Sequence, residues 1–581
     1  MPHPAPYSRH PRHEKDVNAT KIPHFSEMNV AAPDAAELAR RFAALDAKFA
    51  AATSAADLLG AIDAWDVERR SLSTWRNLAH LHFTQDTRDA AARAAREQME
   101  ELWPSVTAHE VRVKRMLLEH PRRDELEAAL GATVFAKWKS DIATFDPVIE
   151  ADLVEESKLD AAYTELLASA QIEFDGATHN LSSLLRFMQD PDRAVREEST
   201  RRYWGFFADN RAELDRIFDE QVKLRTSMAR KLGFADYRPL GYLRMQRLDY
   251  GVAEVEKFRE QIREFVVPLA AELRKRQAGA LGVSPLMFWD ETVFDPKGNA
   301  APKGDHDWMV ARATEMFDSL EPQMGEFFRM LVDRGLLDLK SREGKAGGGF
   351  CTDVTDWGAP FVFANFNGTK GDVVVFAHEM GHAFQGWMSR NHRLIDELWP
   401  TMESAEIHSM SLEFITWPHM DRFFGEDAAR YRHTHLAENI LFLPYGVAVD
   451  HFQHMVYAEP DASPARRHEM WKEIESIYLP WRNYGDLPHL PMGGAWQRQG
   501  HIYGAPFYYI DYTLALTCAL QFWVRTEEDP ETAMRDYVAL CTRGGEATFT
   551  ELCRSAGLVP PFEAGAVERI VARAKRELGV P

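Results

Sequence analysis

His378 and His382 stand four residues apart with Glu379 beside the first, in the run His378-Glu379-Met380-Gly381-His382. Residues four apart share one face of a helix, so both imidazoles can meet a single tetrahedral zinc at about 2.0–2.1 Å. Glu379 then flanks the metal instead of binding it, the position of a base that activates water against a carbonyl. The pattern is short, and with 22 histidines in 581 residues a chance match is expected in on the order of one in ten such chains. Its surroundings strengthen it. Val373-Val374-Val375-Phe376-Ala377 and Ala383-Phe384 make the helix apolar nearly all round. Two histidines and a glutamate on a buried helix are costly unless paired or metal-bound.

A third ligand has to come from elsewhere, because Ala383-Phe384-Gln385-Gly386-Trp387-Met388 lacks a further histidine. Beyond Pro400, the stretch from Met402 to Phe414 reads as a second helix with Glu403, Glu406, Met410 and Glu413 on one face. By periodicity alone that acidic face reads as a solvated surface. Farther on, His501 is followed by Tyr503, Tyr508, Tyr509 and Tyr512. An isolated tyrosine stripe reads as core. Beside a metal site it also supplies donors for the oxyanion of peptide hydrolysis, each worth about 2.7–4 kcal/mol.

The elements that must position these residues are mostly helices. From Asp34 to Met188, Ala, Leu, Glu and Arg recur at helical spacing. Asp190-Pro191 predicts a helix start, with an interruption near Gly205 and a stop at Gly233. Another helix is predicted from Val252 to Gln277, followed by an irregular excursion from Gly282 to Asp305. Gly347-Gly348-Gly349 is a flexible turn, not a phosphate loop, since no Lys-Ser/Thr follows. Phe350-Cys351-Thr352 and Pro360 to Phe366 then read as a small hairpin. The second strand is expected to offer a free edge to an extended substrate, with Ala364 and Asn365 as the backbone contacts. Asn367-Gly368 makes a tight turn, and Asp372 is placed to cap the metal-bearing helix, Val373 to about Trp387.

Composition bounds the rest. A chain of 581 residues with 45% hydrophobic content can build two or three packed lobes. No apolar run approaches membrane-spanning length. A net charge of −21, without a basic stripe, argues against nucleic-acid binding. Four cysteines, none in a CxxC pair, fit a reducing compartment, with cytoplasm as the default. Residues 1–25 read as a disordered tail rich in His, Pro and charge, without the apolar centre of a signal peptide.

The run from Gly368 to Phe414, with His-Glu-Met-Gly-His-Ala-Phe-Gln-Gly and Glu-Ile-His-Ser-Met-Ser-Leu-Glu, resembles the oligoendopeptidase F and thimet oligopeptidase family of zinc metallopeptidases. Within it, the Pz-peptidase-like oligoendopeptidases are the nearest in texture. The resemblance implies that Glu406 is the third zinc ligand and that Glu413 orients a ligand side chain. His408 stands where relatives often carry proline, which leaves it as a competing ligand. The likeness extends to His501 and the tyrosines, where Tyr512 is the best match, Tyr508 and Tyr509 are unranked, and Tyr503 is assigned to substrate. It implies a mainly α fold, with two helical lobes around a deep substrate channel and a small β-hairpin beside the zinc helix. Residues 26–200 would form the N-terminal lobe and 201–581 the catalytic domain. One zinc ion per chain and cleavage of internal bonds in short oligopeptides follow, in a monomer or homo-oligomer. A dipeptidyl carboxypeptidase on a related fold is the alternative, and would need Arg482 or Arg498 to anchor a free C-terminal carboxylate. An inactive peptide-binding relative is a second, which the intact Glu379 argues against.

Overall fold

The computed structural model describes residues 22–581. The expected tail thus lies largely outside the described residues, and its last part is packed. Ile22 and Phe25 belong to the main apolar core, and the Phe25 amide donates to the Arg334 carbonyl. The described residues are mainly α-helical, with two small sheets among them.

Local chemistry sets the helix ends. Ser54 and Asp57 form a reciprocal capping box at the start of the Ala55–Gln85 helix, satisfying two amides that the helix leaves free. Asp192, not Asp190, caps Arg193–Asp209, and that helix runs through Gly205 without a break. The expected boundary at residue 200 therefore falls inside a helix. Side chains from either side of it, such as Leu81 and Trp204, share one core. Two satellite cores lie among the N-terminal helices, one around Trp65 and Trp138 and the other around Leu72 and Trp75.

Strands β1 (Ile172–Phe174) and β2 (Ala177–His179) form a hairpin whose Asp175-Gly176 turn has positive φ at both residues, as a tight two-residue hairpin turn requires. The second sheet contains β3 (Leu337–Lys340), β4 (Phe350–Val354) and β5 (Ala359–Phe366), in the order β3-β5-β4. The expected β4–β5 hairpin is present and antiparallel, and β3 pairs parallel to the other side of β5. β5 is consequently the central strand, and its expected free edge is taken. The outer edges belong to β3 and β4, and β4 is the edge strand that follows directly on the glycine loop.

Of the helices that follow, four build the site. The HExxH helix spans Lys370–Ser389, the acidic helix Met402–Ile415, a long helix Ala428–Ala458 and the tyrosine helix Tyr509–Glu528. Asp372 lies inside the first turn of the HExxH helix, and its carboxylate accepts from the amides of Asn367 and Gly368. It ties the preceding turn to the helix, three residues later than the N-cap, Thr369. Gly381 is where the HExxH and acidic helices touch. A β-carbon there would meet the His408 carbonyl oxygen at 2.5 Å and Ser409 Cα at 2.6 Å, well inside van der Waals contact. Only glycine permits that approach, and the approach carries Glu406 to the histidines.

Candidate metal centre

Ligand atoms from His378, His382 and Glu406 all lie within 4.8 Å of one another. Glu406 Oε2 is 3.2 Å from His378 Nε2 and 3.5 Å from His382 Nε2. Two imidazole nitrogens and one carboxylate oxygen are the donor set of a catalytic zinc site, which keeps its fourth position for water or substrate. The ring orientations fit such a metal. His378 Nδ1 lies 2.8 Å from Glu413 Oε1, so its proton goes to that carboxylate and the Nε2 lone pair faces the site. The other Glu413 oxygen is 2.9 Å from His435 Nε2, and His435 Nδ1 accepts from the Trp417 indole at 3.1 Å. Glu406 is fixed in turn by the Ser409 hydroxyl on Oε2 at 2.9 Å and by the Tyr508 hydroxyl on Oε1 at 3.0 Å. The acidic face is thus buried and fully engaged at these positions, not solvated.

Glu379 sits beside this group, 7% exposed, with no hydrogen-bond partner for Oε2 among the described residues. Burial pushes its carboxyl above the ordinary range, against the pull of the two histidines. The glycine loop lies over it, and a β-carbon on Gly349 would come within 3.7 Å of Glu379 Oε1. Asn365 holds that loop, its amide donating to the carbonyls of Ala346 and Gly348 at 2.9 and 2.8 Å. Asn365 and the fully buried Ala364, whose carbonyl accepts from Lys345, therefore support the loop instead of forming a docking edge.

The tyrosine segment divides. Tyr508 reaches Glu406, and Tyr512 packs 4.9 Å from the Tyr508 ring and 5.7 Å, edge-on, from His501. Burial, and then the negative charge of Glu406, push the Tyr512 phenol up to about 12 and Tyr508 higher still. Both keep their protons at neutral pH and remain donors. Tyr509 packs between His501 and Tyr445. Tyr503 is not at the site. It is fully buried, stacked 3.9 Å from Tyr163, with its hydroxyl on the Leu214 carbonyl. The short Gly500–Gly504 helix turns it toward the N-terminal helices while His501 faces the tyrosine helix. His408 is also excluded from the ligand group. Its ring is fully buried near Tyr537, on the side where the acidic helix meets Gly381.

A cavity of about 720 Å³ adjoins this cluster, reaching Met410, Glu413 and His435 on one side and Trp204, Arg274 and Phe288 on the other. Arg482 on its wall is flanked by Glu291 and Glu475 at 3.7 and 3.5 Å. Arg498 lines the same cavity with no carboxylate partner among the described residues, its guanidinium 5.9 Å from the Tyr203 ring. His435 and Trp417 complete the arrangement without any spacing signal in the sequence, whereas Ser409 falls within the Glu-Ile-His-Ser run that carries the resemblance.

Residues 25–145 match the Peptidase M3 N-terminal domain, and residues 303–571 match Peptidase family M3. Among solved structures, a protein described as an oligoendopeptidase F, from crystals grown by microfluidic seeding, is 47% identical with a TM-score of 0.91 over 96% of this chain and 99% of its own. Pz peptidase A with an inhibitor is 42% identical with the same TM-score and coverage. An oligoendopeptidase F from Bacillus anthracis is 42% identical with a TM-score of 0.86, over 96% of this chain and 98% of its own. None of the curated proteins compared matches the chain. With both domain matches in place and these identities running nearly end to end, the chain belongs to peptidase family M3.

Proposed function

We propose that this peptidase is a zinc-dependent endopeptidase that cleaves internal bonds of short oligopeptides. The observation that carries the reading is the convergence of two imidazole Nε2 atoms and the Glu406 carboxylate beside the buried, unpartnered oxygen of Glu379. His378, His382 and Glu406 would hold one zinc ion, which when bound makes a water molecule acidic near neutral pH and polarises a carbonyl. Glu379 takes the proton of the attacking water and returns it to the leaving amine. Its desolvated carboxyl suits both steps, since a raised pKa brings it nearer to the proton donors and acceptors it serves. Tyr512 and His501 donate toward the oxygen on which charge develops, while Tyr508, whose single hydroxyl proton goes to Glu406, holds a ligand carboxylate.

The substrate backbone is assigned to the edge of β4. The Asp353 carbonyl on that edge accepts from the Asn77 side chain. Residues two apart on a strand direct their backbone groups the same way, so the Cys351 N–H and C=O face the same open side, one strand residue from the glycine loop. All four cysteines are free thiols, and no helix among the described residues is long and apolar enough to cross a membrane. Both fit a cytoplasmic peptidase.

Glu379→Gln tests the base: it should retain zinc in full and lose at least about 10² of turnover on a quenched oligopeptide. Unchanged activity in that variant refutes the role. The carboxypeptidase reading is favoured only by Arg498, the unpaired cation in the cavity. A substrate amidated at its C-terminus separates the two readings, because an endopeptidase cleaves it and a dipeptidyl carboxypeptidase does not.

A further inference from the structure

Gln499 bridges two elements that carry no metal ligand. The Tyr445 hydroxyl, on the long helix, lies 3.0 Å from Gln499 Oε1, and Gln499 Nε2 lies 2.7 Å from His501 Nδ1. A carboxamide nitrogen only donates and its oxygen only accepts. With Tyr445 donating to the oxygen, the amide N–H must point at Nδ1, and Nδ1 must offer a lone pair. A neutral imidazole with an unprotonated Nδ1 carries its proton on Nε2. The opposite tautomer would set two donors against each other at 2.7 Å.

We propose that Gln499 is a positioning residue that fixes His501 as the Nε2–H tautomer, through a relay beginning at Tyr445. The inference rests on the role given to His501 above and adds what gives that residue a proton to donate. Each member is held independently. The Gln499 amide N–H donates to the Trp496 carbonyl at 2.9 Å, and the Gln499 carbonyl accepts from the Ile502 amide at 3.0 Å, so its backbone anchors the turn that presents His501. Tyr445 stands perpendicular to Tyr509 at 5.9 Å, and Tyr509 meets the His501 ring edgewise at 5.1 Å. Tyr508 and Tyr512 close the remaining sides at 5.7 Å each. No hydrogen-bond partner for His501 Nε2 is found among the described residues, which leaves that N–H for a ligand. Burial also lowers the His501 pKa, so the ring is neutral at neutral pH and the choice of tautomer decides whether it donates. An imidazolium would need no such relay.

The test uses the full-length, zinc-loaded enzyme labelled with ¹⁵N-histidine, with His501 signals assigned by their loss in His501→Gln. The wild type should show the Nε2–H tautomer. Gln499→Glu replaces the donor by an acceptor and should move the proton to Nδ1. Assayed about two units above the ordinary imidazole pKa of ~6.5, its kcat should fall by about 10² with KM within about twofold. Gln499→Met, which imposes neither tautomer, should lose only several-fold. Tyr445→Phe, which removes one distal hydroxyl, should give mixed tautomers and supplies the reading should Gln499→Glu fail to fold. An Nδ1–H wild-type ring overturns the proposal, and so does equal impairment of Gln499→Glu and Gln499→Met, the mark of a merely structural role. Wild-type turnover in His501→Gln would instead remove His501 from the reaction, while the ¹⁵N spectra still decide the relay.

Discussion

Glu413 would govern a metal held by His378 without touching it. Its carboxylate accepts from His378 and lies within hydrogen-bond distance of His435, so it sets which nitrogen of His378 is available and keeps the ring from turning. Removing such a partner typically costs 10–100-fold in metal affinity. Glu413→Ala is accordingly expected to lose about that much zinc affinity, measured by competition against a calibrated chelator, with His435→Ala showing a smaller loss. The two tyrosines nearest Glu406 are expected to differ from each other. Tyr512→Phe should bind zinc normally and lose about 10²–10³ in kcat if it donates to the oxyanion, whereas Tyr508→Phe, which removes a hydrogen bond to Glu406, should also weaken zinc binding. Wild-type kcat in either variant drops that tyrosine from the mechanism.

At the scale of elements, the site depends on how closely two helices pack. Gly381 is the contact point, and Gly381→Ala forces its methyl against the His408 carbonyl and Ser409. Overpacking of this kind costs about 1–3 kcal/mol, and it also moves Glu406 away from the imidazoles. The variant should show a lowered Tm and incomplete zinc occupancy together, whereas a variant with full occupancy and an unchanged Tm would mean that the helices do not need this approach. The same scale explains what was legible beforehand. His378, Glu379 and His382 declare themselves because their partnership lies within one helix and has a fixed spacing. Glu406 does not, because three glutamates on one helical face look alike whether they meet solvent or a metal, and only the resemblance to known peptidases separates them. The strand order was hidden for a related reason. Leu337–Lys340 is four residues without β-branching, too short to register as a strand, and once it pairs with β5 the outer edges are those of β3 and β4. Tyr503 misled because a tyrosine-rich run gives no sign of which ring turns inward. Gln499 and Tyr445 meet only through the tertiary fold.

For the whole molecule, the consequential feature is that the cluster adjoins a cavity of about 720 Å³ walled by helices from both halves of the chain. A chain segment can enter such a space in extended form, but a folded domain cannot. Unstructured peptides should therefore be cut at internal bonds, while the same sequence inside a stable folded protein should survive, as read by mass spectrometry of paired digests. Arg498 makes a further expectation at this scale concrete. If it greets substrate carboxylates, Arg498→Met should raise KM for free-acid peptides and leave amidated ones unchanged. Equal effects on both would assign it to the cavity wall alone.

The central claim is that three side chains from two helices hold one catalytic metal ion. Metal content and peptidase activity measured on the same purified sample, before chelation, after chelation and after zinc is restored, test it most directly. One zinc per chain, activity lost with the metal and regained in proportion to its return, is the predicted result. Full activity in protein stripped of metal would contradict it.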